Sequence, residues 1–367
     1  MNLCKGTIDE VESTEHPSIT FVIPTLDAGK LLRGCLDSIK SQEYPQNKVE
    51  IMVVDGGSKD DTLNIARQFG CRIFHSPRTL TGPGYELGIT TGPSYEFGLQ
   101  EARSDLVVFH SADVWLPRTD WLRLMTKPFQ EDPKIIGAFG PFVVDRNDIS
   151  LNRYFSWVES TPFHYFVCDS ESSKKFYEKS YEVLIERLNY KIFKMTVEKY
   201  PILGLGNGFV LNRGAVKSEG ADAFPLSKVI RETTNNLDDI SPIIKMIEHG
   251  YRIAYVPRGG IIHYHLQSYR QFLLKYRWKL RVNMFSRLGY SSARAYLSQK
   301  RRLKEKLFIL YCILFFWPLI TSVNGLKRDK DIAWLHHPIL CFLILLMGIL
   351  TILESPRLSI GYLLSSH

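Results

Sequence analysis

The chain has 367 residues, of which 45% are hydrophobic and 23% charged, as is ordinary for a globular protein, and its formal net charge is +8. This length suggests one large domain with additions, or two domains. The charge is local: residues 266–306 hold twelve Lys or Arg and one acid, a net +11, and the remainder carries −3. A basic patch beside apolar segments favours a membrane surface over nucleic acid, and no nucleic-acid-binding signature occurs.

The cysteines and the N-terminus indicate a cytosolic main body. The six cysteines show no paired spacing and no C-x-x-C motif, which predicts reduced thiols. Residues 1–17 are polar and acidic, which is typical of a flexible arm and not of a signal peptide.

Strands and helices alternate along the first part of the chain. The apolar run from Ile19 to Ile23 predicts a first strand, ended by Pro24. Apolar residues at helical spacing follow between Leu31 and Ile39. A second strand, Val49 to Val54, runs into the turn sequence DGGSKDDT, whose small residues suit a tight turn. A helix from Thr62 to Gly70 and a short strand at 71–74 come next.

The stretch LVVFHSADVWLP, residues 106–117, predicts a buried strand of a parallel sheet and the polar residues at its end. His110, Ser111 and Asp113 lie where open α/β sheets bind their ligands. The Asp113 carboxylate either holds a divalent cation or caps the next turn. Before this strand, residues 82–89 and 92–99 repeat the pattern G-P-x-Y-E-x-G. Two copies are too few for a solenoid, so we interpret them as a loop duplication whose second copy starts a helix.

The alternation continues to residue 265 and predicts a largely parallel α/β sheet over residues 18–265. Residues 150–200 carry helical patterns such as YEVLIERLNYKIFKM and are expected to cover part of a site. His263 and His265 alternate with apolar neighbours, so both should point to one face of a strand. Further strands are predicted at 135–144, 209–211, 252–257 and 261–265, with a helix, ISPIIKMIEHG, at 240–250.

The last hundred residues change character. Residues 307–323 and 338–353 contain no charge, and two transmembrane helices are predicted at about 307–323 and 335–353. The alternative is a buried soluble helical hairpin. Basic residues at 300–306 predict a cytoplasmic start for the first span, although Lys327, Arg328 and Lys330 in the connection weaken that signal. The aromatic and basic segment 266–306 is expected to lie along the membrane surface.

Several of these stretches, taken in order, resemble the family 2 glycosyltransferases of the GT-A fold. The most specific is VVDGGSKDDT at 53–62, which resembles the family's nucleotide-binding turn. The others are FVIPTLDAGKLLRGCLDSI at 21–39, FHSADVWLP at 109–117, GNGFVLNRGAVKSEG at 206–220, LDDISPIIKMIEHGYRIAYVP at 237–257 and HYH at 263–265.

The resemblance implies roles for individual residues. Pro24 and Thr25 would line a nucleoside pocket with Asp27 nearby, and Asp55 would contact the base. Asp113 would bind the metal that bridges the donor diphosphate, and His263 would complete the metal or diphosphate side. Asp239 would be the general base with Asp238 as its acidic neighbour; their alternative role is to cap the helix that follows. The donor-binding set implied in this way is Pro24, Thr25, Asp27, Asp55, Gly57, Ser58 and Ser111.

The sequence departs from the family pattern at several positions. Ser111 replaces the first Asp of the D-x-D motif and Val114 replaces a third acidic position. The Q-x-x-R-W motif of processive synthases keeps Arg277 and Trp278 but has Leu274 in place of Gln, which argues against a processive enzyme.

The resemblance implies a membrane-anchored, inverting hexosyltransferase. Its donor would be a nucleotide diphosphate sugar, its cofactor Mg²⁺ or Mn²⁺, and its acceptor a lipid-linked or glycan hydroxyl at the cytosolic face of an anionic membrane, with no nucleic-acid partner. The alternatives are a polyprenyl-phosphate sugar synthase and a catalytically weakened sugar-binding or scaffold protein. The expected units are an arm (1–17), a nucleotide-sugar half (18–130), an acceptor half (131–265), a membrane-surface segment (266–306) and a multi-pass anchor (307–367).

Overall fold

The computed structural model describes residues 16–76, 91–159, 161–168, 173–196, 204–218, 241–264, 266, 268–285 and 299–354. The predictions for most of the N-terminal arm, the first copy of the repeat, Asp238, Asp239 and His265 lie outside these residues.

A nine-stranded sheet forms the centre of the fold. Its order is β3-β2-β1-β4-β9-β6-β10-β8-β7, and β8 and β9 run antiparallel to the other strands. A separate two-stranded sheet pairs β5 with β11. The expected α/β fold with a mostly parallel sheet is thus confirmed. The strands are β1 (Ile19–Thr25), β2 (Val49–Asp55), β3 (Arg72–His75), β4 (Leu106–His110), β5 (Val114–Trp115), β6 (Ile135–Phe139), β7 (Val183–Glu186), β8 (Lys191–Phe193), β9 (Asn207–Asn212), β10 (Arg252–Tyr255) and β11 (Ile262–His263).

Helices cover both faces of this sheet. Along β1, Phe21 and Ile23 enter one hydrophobic core and Val22 enters the core on the opposite face. Burial on both faces explains why the central strands are continuously apolar in sequence. The helices are α1 (Gly29–Lys40), α2 (Thr62–Gln68), α3 (Thr91–Glu101), α4 (Trp121–Glu131), α5 (Ser150–Val158), α6 (Pro162–Cys168), α7 (Ser173–Ser180), α8 (Arg213–Ser218), α9 (Ser241–Glu248), α10 (Tyr269–Phe285), α11 (Gln299–Ile313), α12 (Phe316–Asp329) and α13 (His336–Glu354), with short 3₁₀ helices at Gln46–Lys48 and Ile332–Leu335.

The helical prediction for YEVLIERLNYKIFKM was wrong. This stretch forms a hairpin of β7 and β8, and β8 pairs antiparallel with β10 at the edge of the large sheet. β-branched residues such as Val183 and Ile185 suit a strand, and pairing with β10 buries Ile192. Tertiary pairing therefore overrides the local helical spacing. By contrast, the second copy of the G-P-x-Y-E repeat does lie in a helix, α3, as predicted.

The C-terminal helices pack on the rest of the protein through a third core. This core joins Trp334, Leu340 and Ile344 of the C-terminal region to Tyr154 of α5 and Phe272 of α10. Among the described residues, one helix, Ile332–Glu354, is long and apolar enough to cross a membrane. The first predicted span is broken: segments 306–313 and 316–329 meet at 88°. Pro318, in the first turn of α12, has no N–H and would clash with a continuous preceding turn, which accounts for the break.

Candidate functional site

The carboxyl ends of three neighbouring parallel strands bring the predicted donor-binding residues to one edge of the sheet. In the β1–β2 register Pro24 pairs with Val54, and Thr25 pairs with Asp55. Strand β4 lies on the other side of β1, in register from Ile19 opposite Leu106. Ser111 and Asp113, which follow β4, therefore emerge at the same edge as Thr25 and Asp55.

The Asp55 carboxylate organises the turn after β2. It is buried, and its oxygens accept hydrogen bonds from the Thr25 hydroxyl (3.2 Å), the Gly57 N–H (2.9 Å), the Ser58 N–H (3.0 Å) and the Ser58 hydroxyl (2.5 Å). Gly57 adopts φ +101°, a left-handed conformation that favours glycine. These bonds fix the turn at the strand end, and they join residues for which the family resemblance implies a donor-binding role.

Asp27 ties the end of β1 to the same turn. Its backbone has φ +47°, its N–H donates to the Ser58 hydroxyl (3.0 Å), and its carboxylate accepts the Lys59 N–H (2.7 Å). Asp60 links the turn to α1 by accepting the Gly29 N–H at 2.9 Å. The predicted Pro24–Asp27 and Asp55–Ser58 segments thus form one hydrogen-bonded unit.

The pairing of β5 with β11 places His263 beside Asp113. His263 lies opposite Val114 in this small sheet, and the Tyr264 N–H donates to the Asp113 carbonyl at 2.8 Å. The His263 Nε2 is 3.3 Å from the Asp113 Oδ2. Their side chains are 19% and 30% exposed, respectively, so both remain accessible from the edge. Two residues 150 positions apart, predicted to share a site, do meet.

The electrostatics keep Asp113 ionised at neutral pH. Burial alone would raise its pKa, but the charge and hydrogen bond of His263 and the charge of Lys275 outweigh burial and lower the pKa to about 2. Lys275 comes from α10, and burial lowers its own pKa while the Asp113 charge opposes that shift. Lys275 was not predicted as a site residue, because its place in a basic helix does not reveal which cation faces the site.

A metal ion would find two protein ligands here. Asp113 and His263 offer an oxygen and a nitrogen donor, a combination that Mn²⁺ can accept when water and phosphate oxygens complete the shell, whereas Mg²⁺ would use the Asp113 oxygen. In the described ranges no group of three His, Cys, Asp or Glu side chains could hold an ion. Two protein ligands would leave the rest of a coordination shell to water or to oxygens of a bound ligand.

Two residues that were not predicted as site residues, Tyr95 and Gly206, lie beside Ser111. The Tyr95 hydroxyl lies 3.3 Å from the Ser111 hydroxyl, and a Cβ on Gly206 would come within 2.8 Å of the same Ser111 oxygen. Gly206 is therefore needed for the close approach of the 204–208 turn to Ser111. In the sequence, the glycine-rich run GLGNG at 204–208 and Tyr95 in the second copy of the repeat are the features that could have indicated this contact.

His110, which precedes Ser111 in the chain, is fully buried. Burial disfavours the imidazolium and lowers the pKa of His110 to about 4. Its Nε2 contacts the Val114 carbonyl at 2.9 Å. His110 is therefore neutral at physiological pH and positions the chain that follows β4.

Replacing Gly34 with Ala should destabilise the support of the site. A Cβ at Gly34 of α1 would lie 2.0 Å from the Trp115 ring, and Trp115 belongs to β5, directly after Asp113. We expect Gly34→Ala to lower the free energy of unfolding by about 1–3 kcal/mol, as overpacking does. Denaturant unfolding checks this. Gly348 is the matched control: it is also inside a helix, but its Cβ would have no neighbour within 4 Å, so Gly348→Ala should cause no loss. Equal effects of the two substitutions would contradict the close packing at Trp115.

Comparisons with known proteins agree with this geometry. Residues 20–170 match the family model described as Glycosyl transferase family 2. Over this stretch the chain is similar to the family 2 glycosyl transferases. It is 26% identical over 259 residues, 70% of each chain, to the O-antigen chain rhamnosyltransferase RfbN of Salmonella typhimurium. These two matches support a glycosyltransferase of glycan biosynthesis.

Solved structures resemble the chain at lower similarity. The Pyrobaculum calidifontis mannosyltransferase PcManGT, in complex with GDP-Man and Mn²⁺, is 16% identical, with a TM-score of 0.49 over 93% of this chain and 89% of that one. TarS 1–349 of S. aureus is 13% identical, with a TM-score of 0.45 over 95% and 92%. Glucosyl-3-phosphoglycerate synthase of Mycobacterium tuberculosis is 16% identical, with a TM-score of 0.40 over 77% and 86%. All three TM-scores are below 0.5.

Proposed function

We propose that this glycosyltransferase is an inverting enzyme that transfers a sugar from a nucleoside diphosphate sugar to a hydroxyl of a lipid-linked or glycan acceptor at the cytosolic membrane face. The observation that carries the proposal is the Asp113–His263 pair, which lies at the strand edge that also holds the hydrogen-bonded Asp27–Asp55–Ser58 turn. The similarity to an O-antigen chain rhamnosyltransferase supports a deoxyhexose or hexose donor and a glycan acceptor.

The donor's leaving group sets the first chemical demand on the site. A nucleoside diphosphate gains negative charge as the glycosidic bond breaks, and a divalent cation at Asp113 and His263 would offset that charge. Lys275 adds a positive charge on the same side of the site. Thr25, Asp27, Ser58 and the turn backbone would hold the nucleoside, with Ser111 beside the diphosphate.

The acceptor sets the second demand, which is removal of a proton from the attacking hydroxyl. We assign this step to Asp239, and Asp238 beside it would raise the pKa of one of the two carboxyls toward a useful range. Attack by the hydroxyl on the anomeric carbon, from the face opposite the diphosphate, inverts the configuration there. The sugar–oxygen bond forms as the sugar–phosphate bond breaks, and Asp239 receives the proton.

Sugar transfer by the purified full chain tests the proposal. Radiolabelled UDP-, GDP- and dTDP-sugars are supplied one at a time with a membrane lipid extract, and the product is separated from the donor. We expect one donor to be consumed and to raise the melting temperature, because a ligand that binds the native state at about 100 times its Kd stabilises it by about 2.7 kcal/mol. A donor that binds without transfer would identify a sugar-binding protein instead. Transfer to a polyprenyl phosphate, an acceptor that needs no base, would contradict the proposal that the acceptor group is a hydroxyl.

A further inference from the structure

The C-terminal helices expose many large apolar side chains, which together are here called the apolar platform. At the break between α11 and α12, Phe316 and Trp317 are 67% and 53% exposed. Along α13 the exposed residues recur at helical spacing, while the opposite face packs into the third core. The platform consists of Leu307, Leu310, Leu314, Phe315, Phe316, Trp317, Leu319, Ile339, Phe342, Leu346, Ile349, Leu350 and Leu353. A monomeric soluble protein rarely leaves a patch of this kind uncovered.

The connection between α12 and α13 is fixed to the transferase domain. Asp331, buried in this connection, accepts hydrogen bonds from the Arg153 guanidinium (2.9 and 3.0 Å) and from the Trp157 indole (3.0 Å) of α5. Next to it, His336 contacts the Ser150 hydroxyl at 2.8 Å, and His337 contacts the Tyr154 hydroxyl at 2.6 Å. A transmembrane hairpin would put this connection on the side of the membrane opposite the transferase domain. The observed contacts do not permit that arrangement.

The far end of α13 is fixed to the same domain. Glu354, the last residue of α13, pairs with Arg277 of α10 at 2.6 Å, while Tyr269 at the start of α10 bonds to His336 at the start of α13. Helix α10 also carries Lys275, whose charge acts on Asp113. If α13 crossed the bilayer alone, the charged helix α10 would have to enter the hydrocarbon core beside it, at a large cost in free energy.

We propose that the apolar platform lies in one leaflet, parallel to the membrane, and that the chain binds an anionic lipid surface without crossing it. The right-angle break gives α11 and α12 an apolar tip, as suits helices that dip into a leaflet. Basic residues flank the platform in sequence at 300–306 and 327–330, a composition that suits a segment beside anionic headgroups. This inference refines the membrane part of the proposed function, and its tests measure topology and lipid binding and not transfer.

Chemical labelling of introduced cysteines tests the topology. Lys327→Cys reports the connection between the two apolar runs, and Leu188→Cys, at a fully exposed hairpin tip, reports the transferase domain. A membrane-impermeant maleimide should label both positions in inverted vesicles of the expression host and neither in intact spheroplasts, after subtraction of the parent chain. A cleavable tag placed after His367 should show the same sidedness. Labelling of Lys327→Cys from the opposite side would establish a hairpin, and a tag on the opposite side would establish a single crossing; either result overturns the proposal.

Vesicle flotation tests the occupant of the platform. The full chain should float with vesicles of phosphatidylcholine containing a minority of phosphatidylglycerol. Replacing both Phe316 and Trp317 with Asp should reduce binding at least about tenfold, because two large apolar side chains lose their burial. The control, Leu184→Asp combined with Leu188→Asp, places the same two charges on exposed apolar residues away from the platform and should not change binding. A full chain that ignores these vesicles, and instead forms a dimer that the same double variant dissociates, would show that a second copy covers the platform.

Discussion

Asp113→Asn is expected to lower sugar transfer by more than about 100-fold, to the rate that the wild-type chain shows in excess chelator. Residues that only support a metal ligand cost up to about 100-fold when removed, and Asp113 would be a ligand itself. Its carboxylate, with a pKa of about 2, is ionised and would supply a negatively charged oxygen to the cation, and an amide cannot replace that charge. Initial rates with and without Mn²⁺ or Mg²⁺ measure the loss.

The matched control is Asp105→Asn. Asp105 precedes the same strand, β4, at the opposite edge of the sheet, where its carboxylate accepts the Ser18 N–H at 2.8 Å and the Ser18 hydroxyl at 2.7 Å. This substitution should reduce stability by about 1–3 kcal/mol and leave turnover unchanged. Full activity of the wild-type chain in excess chelator would show that transfer needs no cation, and that cationic side chains such as Lys275 carry the diphosphate charge.

Asp239→Asn is expected to lower turnover by about 100-fold or more while donor affinity stays nearly constant. An amide keeps the shape of the side chain but cannot accept the proton of the acceptor hydroxyl. Turnover under saturating donor and acceptor, together with donor binding by calorimetry, separates the two effects.

The neighbouring Asp238→Asn provides the comparison. It removes the adjacent charge and should cost less, because the base itself remains. Near-normal turnover of Asp239→Asn together with inactive Asp238→Asn would reverse the assignment. If both variants retain turnover but lose stability, the pair caps the helix that follows and the base must be sought elsewhere.

Much of the fold and part of the site could be predicted from the sequence, for reasons that individual residues make clear. β1, β2 and β4 are buried on both faces, so their apolar runs were unambiguous. Asp55 and Gly57 were predictable because a tight turn at a strand end needs these residue types. The approach of His263 to Asp113 followed from the family motif, since no local rule joins residues so distant in sequence.

Other features depend on contacts that local patterns do not encode. The β7–β8 hairpin has helical spacing in sequence but is fixed by pairing with β10. Lys275 is one of twelve cations in its segment, and its place near Asp113 depends on how α10 packs. Hydropathy predicted two spans from the uncharged runs. A hydropathy pattern contains no information about the hydrogen bond from Arg153 to Asp331, which lies between those runs.

Helix α10 also couples two parts of the molecule that would otherwise be independent. Phe272 and Tyr276 pack in the core shared with α13, while Lys275, between them in sequence, acts on Asp113. A displacement of α13 that carried α10 with it would move the Lys275 charge relative to Asp113. If a lipid surface favoured such a displacement, it would also change the affinity for a divalent cation, and by linkage cation binding would change the affinity for lipid by the same factor. Sugar transfer would then be fastest where a membrane surface and the donor with its cation are both present.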